Sequence, residues 1–119
     1  MAWSFTADKP VYLQIAERIT ISVLSGEYKP GEQLPTVRDL ATKAAVNPNT
    51  VQHAFSELEN NGLILSQGTV GRYVTSDTAV IEKCHNQLSE SIVSEFVKKC
   101  KKLSISKSEV INIIEGVYK

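Results

Sequence analysis

Four polar side chains follow one another closely where the sequence marks the start of a helix. Asn47 and Pro48 are typical of residues that open a helix, and the polar residues just after them are Asn49, Thr50, Gln52 and His53. Asn and Gln amides can pair with both hydrogen-bonding groups of adenine, Thr can use its hydroxyl or methyl group, and His can donate to guanine or a phosphate. The pattern suits the reading of DNA bases, and a helix face that only meets water is the alternative.

Thr36 marks the start of the preceding helix and is itself a candidate DNA-binding residue. Its hydroxyl can accept a hydrogen bond from the backbone N–H of Asp39, whose carboxylate can reach back, as in a capping box. Arg38 therefore lies in the first turn, where free N–H groups already favour an anion, and its guanidinium can bind a phosphate or a base. A surface ion pair of Arg38 with Asp39 or Glu57 is the alternative.

These two helices, joined by a short turn, form a candidate helix-turn-helix. We expect the first to end by Val46 and the second to begin at Pro48. The small side chain of Ala41 fits where the helices cross, and Val51 packs the second helix onto the first. Ala45 lies in the turn, where glycine is more common, so a positive φ there carries a conformational cost.

Beyond Gly62, two β-prone runs at residues 63–66 and 72–75 flank a loop with two glycines, which predicts a hairpin. A tip of this kind allows backbone to approach the minor groove of DNA, although the glycines can equally serve the hairpin geometry alone. With a first helix over residues 11–25 and a short strand at 33–34, the layout is a mainly α winged helix-turn-helix with a small β wing. The wing candidates for DNA contact are Gln67, Gly68, Gly71 and Arg72.

From residue 77 the pattern changes to a long helix, followed by a capping box at Ser106 and a short final helix. Both helices carry apolar stripes for which a small winged helix offers no burial site. We predict a DNA-binding domain over residues 1–76 and a helical dimerisation region over residues 77–119, the alternative being a tail folded onto its own domain. The predicted dimer contacts are Ile81, Cys84, Leu88, Ile92, Phe96, Cys100, Leu103, Val110, Ile113, Ile114 and Val117.

Length and charge limit the possible classes of protein. A chain of 119 residues leaves no room for a large catalytic domain with its own cleft. Its 13 basic and 13 acidic residues argue against a protein that coats nucleic acid indiscriminately. Residues 1–76 carry six basic and seven acidic residues, so phosphate binding there should rely on backbone N–H groups, hydroxyls and helix ends. We expect useful affinity to require two modules.

Catalytic and metal-binding patterns are missing from the sequence. Neither His53 nor His85 has a Ser, Cys or carboxylate at a spacing that suggests a nucleophile and its base. Cys84 and Cys100 have neither metal-ligand spacing nor the number needed for a disulfide framework, so we interpret them as small buried hydrophobes. We therefore expect no enzyme, cofactor or metal. The lack of a long apolar run and of a secretion signal predicts a cytoplasmic protein without membrane contact.

Motifs with consistent spacing occur across residues 9–75. They include Pro10-Val11-Tyr12-Leu13-Gln14-Ile15, Leu34-Pro35-Thr36-Val37-Arg38-Asp39-Leu40-Ala41, Val46-Asn47-Pro48-Asn49-Thr50-Val51 and Gly62-Leu63-Ile64. Together they resemble the GntR family of bacterial transcription regulators. The segment at 46–51 and the short two-helix tail are similar to the YtrA-like subfamily.

This resemblance implies a dimeric, repressor-type regulator that binds double-stranded DNA. A symmetric dimer of this kind would bind a nearly palindromic operator. It places the DNA contacts on Arg38, Asn47, Asn49, Thr50, Gln52 and Gly71. Many relatives have Arg where this chain has Pro48 and Gln52. Because the surface is poor in Arg, a protein-interaction module without specific DNA binding is the alternative hypothesis. A small-molecule effector is compatible with the fold, but no residue identifies one.

Overall fold

The computed structural model describes residues 2–68 and 71–118. In these ranges the elements are helices and one hairpin, in the order α1 Val11–Leu24, α2 Val37–Ala44, α3 Pro48–Asn60, β1 Ile64–Ser66, β2 Arg72–Val74, α4 Thr78–Lys102 and α5 Lys107–Val117. The chain divides into two compact units, residues 1–85 and 86–119. The predicted fold class, a mainly α winged helix with a small β wing, is confirmed.

Helices α1, α2 and α3 enclose the core of the first unit. The apolar stripe of α1 is buried through Ile15 and Ile19, and α3 contributes Phe55 and Leu58. Each of these helices exposes its opposite face, as the spacing of its apolar residues requires. The buried stripe of α3 therefore determines which of its side chains face solvent.

The turn between α2 and α3 has the predicted form. Ala41 and Val51 are both buried, consistent with their expected places at the helix crossing. Ala45 ends α2 with φ 59° and ψ 50°, a left-handed conformation that glycine adopts more readily. The N–H of Val46 donates to the carbonyl of Ala41 at 3.0 Å, which closes the turn. The left-handed Ala45 is thus the point at which the chain redirects into α3.

The wing is an antiparallel hairpin in which Ile64 pairs with Val74 and Ser66 pairs with Arg72. The predicted strand at residues 33–34 appears as a single bridge between Gln33 and Tyr73, and the N–H of Leu34 donates to the carbonyl of Arg72 at 2.8 Å. The predicted hairpin tip includes Thr69 and Val70, which lie outside the described residues.

The first turns of α4 belong to the winged-helix unit. Cys84 is buried in its core, and Ile81 packs against that core from a half-buried position. Both residues were predicted to be dimer contacts, whereas the structure packs them against the core of their own domain. An apolar helical stripe has the same spacing whether it packs on its own domain or on another chain, so sequence alone did not separate these turns from the rest of α4.

The second unit contains the remainder of α4 and all of α5. A left-handed Ser104, with φ 56°, redirects the chain after α4, and Ser106 caps α5 by accepting a hydrogen bond from the N–H of Glu109 at 3.2 Å. Cys100 is buried in this unit. Within residues 2–68 and 71–118, no helix has the length and apolar character needed to cross a membrane.

Candidate nucleic-acid interface

The start of α3 presents a group of neutral polar side chains. Asn47 caps the helix, its side-chain oxygen accepting a hydrogen bond from the N–H of Asn49 at 2.8 Å, and Pro48 occupies the first helical position. Asn49, Gln52 and His53 are exposed, whereas Thr50 is half-buried. The second helix of a helix-turn-helix enters the major groove by its N-terminal residues. The structure therefore brings the predicted base-reading side chains together on the expected part of the fold.

Arg38, in the first turn of α2, lies near the start of α3. The Thr36 hydroxyl accepts a hydrogen bond from the N–H of Asp39 at 3.1 Å, so the predicted cap is present. Arg38 is exposed in the first turn and lines a shallow depression of about 420 Å³ together with Thr42, Val46 and Pro48. This arrangement puts the guanidinium on the same surface as the N-terminus of α3.

His53 makes a contact that the sequence did not reveal. Its imidazole stacks on the ring of Tyr12 with a centroid separation of 3.5 Å and an interplanar angle of 6°. Tyr12 is in the first turn of α1, 41 positions earlier in the chain, and no local signal connects the two residues. His53 was predicted to be a base-reading residue, and Tyr12 was not predicted to contact it.

The predicted wing residues differ in their exposure and in their backbone geometry. The N–H of Gln67 donates to the carbonyl of Gly71 at 2.9 Å, and Gln67 and Gly68 are exposed. Gly71 has φ +123°, a backbone conformation that L side chains rarely adopt. Gly71 is therefore required by the backbone geometry of the wing, whatever else it contacts.

Arg72 is held by contacts within its own domain. Its Nε donates to a carboxylate oxygen of Glu59 at 3.1 Å, and its guanidinium lies 4.9 Å from the centroid of the Phe55 ring. Only 21% of the Arg72 side chain is accessible. The sequence pattern predicts that Arg72 contacts DNA, and in the structure its guanidinium holds the wing against α3. Glu59 was not predicted as its partner, because this pairing depends on the fold.

Apolar side chains of the second unit remain exposed. Ile92, Phe96, Leu103 and Val117 are exposed, Leu103 to 73%, and none of the described residues of α5 is buried. A groove of about 310 Å³ runs along this unit and is lined mainly by apolar residues of α4 and α5. The other residues of the predicted stripe are Leu88 and Val110, half-buried, Ile113 and Ile114, exposed, and Cys100, buried.

A winged helix that carries exposed polar side chains at the start of the second helix of its helix-turn-helix is typical of DNA-binding transcription regulators. Residues 11–74 match the family model for "Bacterial regulatory proteins, gntR family". The chain belongs to this family, so the expected class of protein is confirmed, and the alternative of an interaction module without DNA binding receives no support.

Three relatives extend the similarity beyond the family model. The chain is 34% identical over 113 residues to the uncharacterized HTH-type transcriptional regulator YhcF of Bacillus subtilis (strain 168), covering 95% of this chain and 91% of that protein. It is 38% identical over 85 residues to the HTH-type transcriptional repressor YtrA of the same organism, covering 70% and 65% respectively. A solved GntR family transcriptional regulator from Listeria monocytogenes has a TM-score of 0.83 at 36% identity, covering 94% and 98%. The YtrA-like resemblance is confirmed.

Proposed function

We propose that the protein is a homodimeric repressor that binds a nearly palindromic operator, with one winged helix on each half-site. The recognition surface is the start of α3 together with Arg38 of α2. The apolar face of the second unit joins the two protomers. Repression is the direction named for the YtrA relative, to which the chain is 38% identical. Operator binding places the protein in the cytoplasm, with the bacterial chromosome.

The observation that carries the proposal of a dimer is the exposed apolar face of α5. Ile111, Ile113, Ile114 and Val117 are all exposed in this helix of 11 residues. A contiguous apolar surface of this kind is typical of an interface, and a second copy of the chain offers the same surface. A two-fold pairing of these faces would place the two recognition helices on half-sites related by the same symmetry.

The neutral side chains at the start of α3 favour binding to specific base sequences over non-specific binding to phosphates. Asn49 and Gln52 can pair with adenine bases, while the net charge of −1 over residues 1–76 provides little attraction for arbitrary DNA. Arg38 supplies a positive charge beside α3 and is proposed to bind a phosphate or a guanine. Thr36 and Asn47 use side-chain oxygen atoms as helix caps, so their proposed part is to place Arg38 and Asn49.

The wing has a smaller proposed part. The exposed Gln67 and Gly68 are the wing positions that can approach DNA closely, and Gly71 maintains the backbone geometry behind them. Thr50 is half-buried and can offer its methyl group or hydroxyl to a thymine or phosphate beside Asn49. In this proposal the start of α3 contributes most to DNA binding, Arg38 contributes less, and the wing contributes least.

The test measures binding of a duplex enriched from a random pool by the wild-type protein. Asn49→Ala should weaken binding by about tenfold or more, since a bidentate base contact contributes about 1–3 kcal/mol. Asn60→Ala is the matched control, because Asn60 is also exposed on α3 but lies about 16 Å away along the helix. Equal affinity of the Asn49 and Asn60 variants would contradict the assignment of the recognition surface.

Arg38→Ala is tested in the same titration. It should weaken binding and reduce the dependence of affinity on salt if the guanidinium meets a phosphate. Lys43→Ala removes one positive charge from the other end of α2 and is the matched control, with affinity expected to stay within about twofold of wild type because long-range attraction is screened by salt. Arg38→Ala binding as tightly as Lys43→Ala would remove Arg38 from the interface.

A further inference from the structure

The stack of Tyr12 on His53 joins α1 to the exposed side of the recognition helix. The two rings are nearly parallel, with 3.5 Å between centroids. His53 is exposed and Tyr12 is half-buried. An exposed His side chain ordinarily samples several rotamers, whereas a ring stacked on a fixed partner is restricted to few of them. The stack therefore limits the orientations of the imidazole before any ligand is bound.

Tyr12 is itself firmly placed. The next turns of α1 are buried through Ile15 and Ile19. The Gln14 side chain holds the preceding segment, donating to the carbonyl oxygens of Thr6 and Lys9 at 2.8 Å each and accepting from the N–H of Thr6 at 2.9 Å. The first turn of α1, from which the Tyr12 ring projects, is thus supported on both sides.

His53 also lies next to the proposed base-reading position. It follows Asn49 by four residues, so the two side chains are neighbours on one face of α3. The N–H of Asn49 is fixed by the Asn47 cap. The stacked ring therefore borders the surface at which we place the DNA.

We propose that Tyr12 is a positioning residue for operator recognition, holding the imidazole of His53 in the orientation in which a ring nitrogen donates a hydrogen bond to DNA beside the Asn49 contact. The proposal rests on the function proposed above. Fixing the ring in advance removes part of the entropic cost of ordering a side chain on binding, which corresponds to about three- to tenfold in affinity.

Two phenylalanine substitutions separate stacking from hydrogen bonding. Tyr12→Phe keeps a ring against His53 and should bind the enriched duplex within about twofold of wild type. His53→Phe keeps the stack but removes both ring nitrogens, and should weaken binding by about tenfold, as one lost hydrogen bond predicts. If His53→Phe binds like wild type, the imidazole makes no contact with DNA and the proposal is overturned.

A double-mutant cycle then tests whether Tyr12 acts through His53. Tyr12→Leu should weaken binding about three- to tenfold when His53 is present and by less than about twofold in the His53→Ala background. Equal losses in the two backgrounds would show that Tyr12 does not position His53. Thermal unfolding of each variant identifies any that fail to fold, and the pair of phenylalanine variants then decides the outcome.

The same titrations separate this proposal from the more general one. If Asn49→Ala loses binding while His53→Phe keeps it, only the proposed role of the stack is overturned, and the proposed DNA-binding function stands. Failure of the wild-type protein to enrich any duplex would overturn both.

Discussion

Arg72 of the wing donates a hydrogen bond to Glu59 of the recognition helix at 3.1 Å, and its guanidinium covers the ring of Phe55. The wing and α3 are therefore connected by a partly buried ion pair as well as by the chain. This contact helps to hold β2 in place relative to α3.

Arg72→Ala should lower the free energy of unfolding by about 1–2 kcal/mol, through loss of the ion pair and of the cation–π contact. Operator affinity should fall modestly, but the slope of log K against log salt should not change, because Arg72 holds Glu59 and not a phosphate. Glu59→Gln is the matched variant and should give a smaller stability loss, because it removes the charge of the pair but keeps the contact of Arg72 with Phe55. A salt slope lowered by about 1 for each protomer would instead place Arg72 on the DNA backbone.

Ala45→Gly should stabilise the protein by about 0.5–1 kcal/mol. A left-handed conformation costs an L-residue about 1–2 kcal/mol, and Ala45 adopts it with φ 59°. Glycine removes this cost in the folded state, but it also makes the unfolded chain more flexible, which offsets part of the stabilisation. Chemical denaturation measures the difference. Ala79→Gly, at an exposed position in the first turn of α4, should lower stability by less than the roughly 0.5–1 kcal/mol of a helix interior. Two changes of the same sign would contradict the role of the turn.

Ile114→Lys should convert the dimer into a monomer. Ile114 is exposed and lines the apolar groove of the second unit, so a charge there costs little in a single chain but is expensive to bury in an interface. Light scattering coupled to size exclusion measures the mass, and operator affinity should fall in parallel. Glu115→Lys, at the neighbouring exposed position, should leave the dimer intact. A wild-type protein that remains monomeric would contradict the assignment of this face.

The Cys84 thiol should contribute to stability in a way that depends on pH. Burial raises the pKa of this thiol above its ordinary value of 9.0, against an opposing contribution from Lys83. The folded state therefore keeps the proton to higher pH than the unfolded state does, and the associated stability is complete below pH 9 and is lost as the pH rises through the folded pKa. The unfolding free energy of wild type minus that of Cys84→Ala should shrink between pH 8 and pH 10. A difference that does not change with pH would exclude this effect.

Local patterns predicted most of the fold and part of the site. The caps at Thr36, Asn47 and Ser106 each depend on residues two or three positions away, and the structure contains all three. The apolar spacing of α3 likewise determined which of its side chains are exposed. Such features follow from propensity and periodicity within one element, which a single sequence contains.

Contacts between distant elements did not follow from the sequence. The pairing of Tyr12 with His53 joins two helices, and that of Arg72 with Glu59 joins a strand to a helix, so both depend on how the elements pack. The burial of Cys84 and Ile81 depends on which surface the first turns of α4 meet. His53 and Arg72 were both predicted to face DNA. Each also contacts another side chain of the protein, which its residue type and spacing did not indicate.

The most direct test is selection of the wild-type protein on a random duplex library followed by sequencing. A homodimer that reads DNA through the start of α3 should enrich two inverted half-sites at one constant spacing, near one helical turn of about 10 base pairs or a multiple of it. Enriched sequences with a single half-site, or with two half-sites at variable spacing, would contradict the symmetric dimer, and the absence of enrichment would contradict sequence-specific recognition.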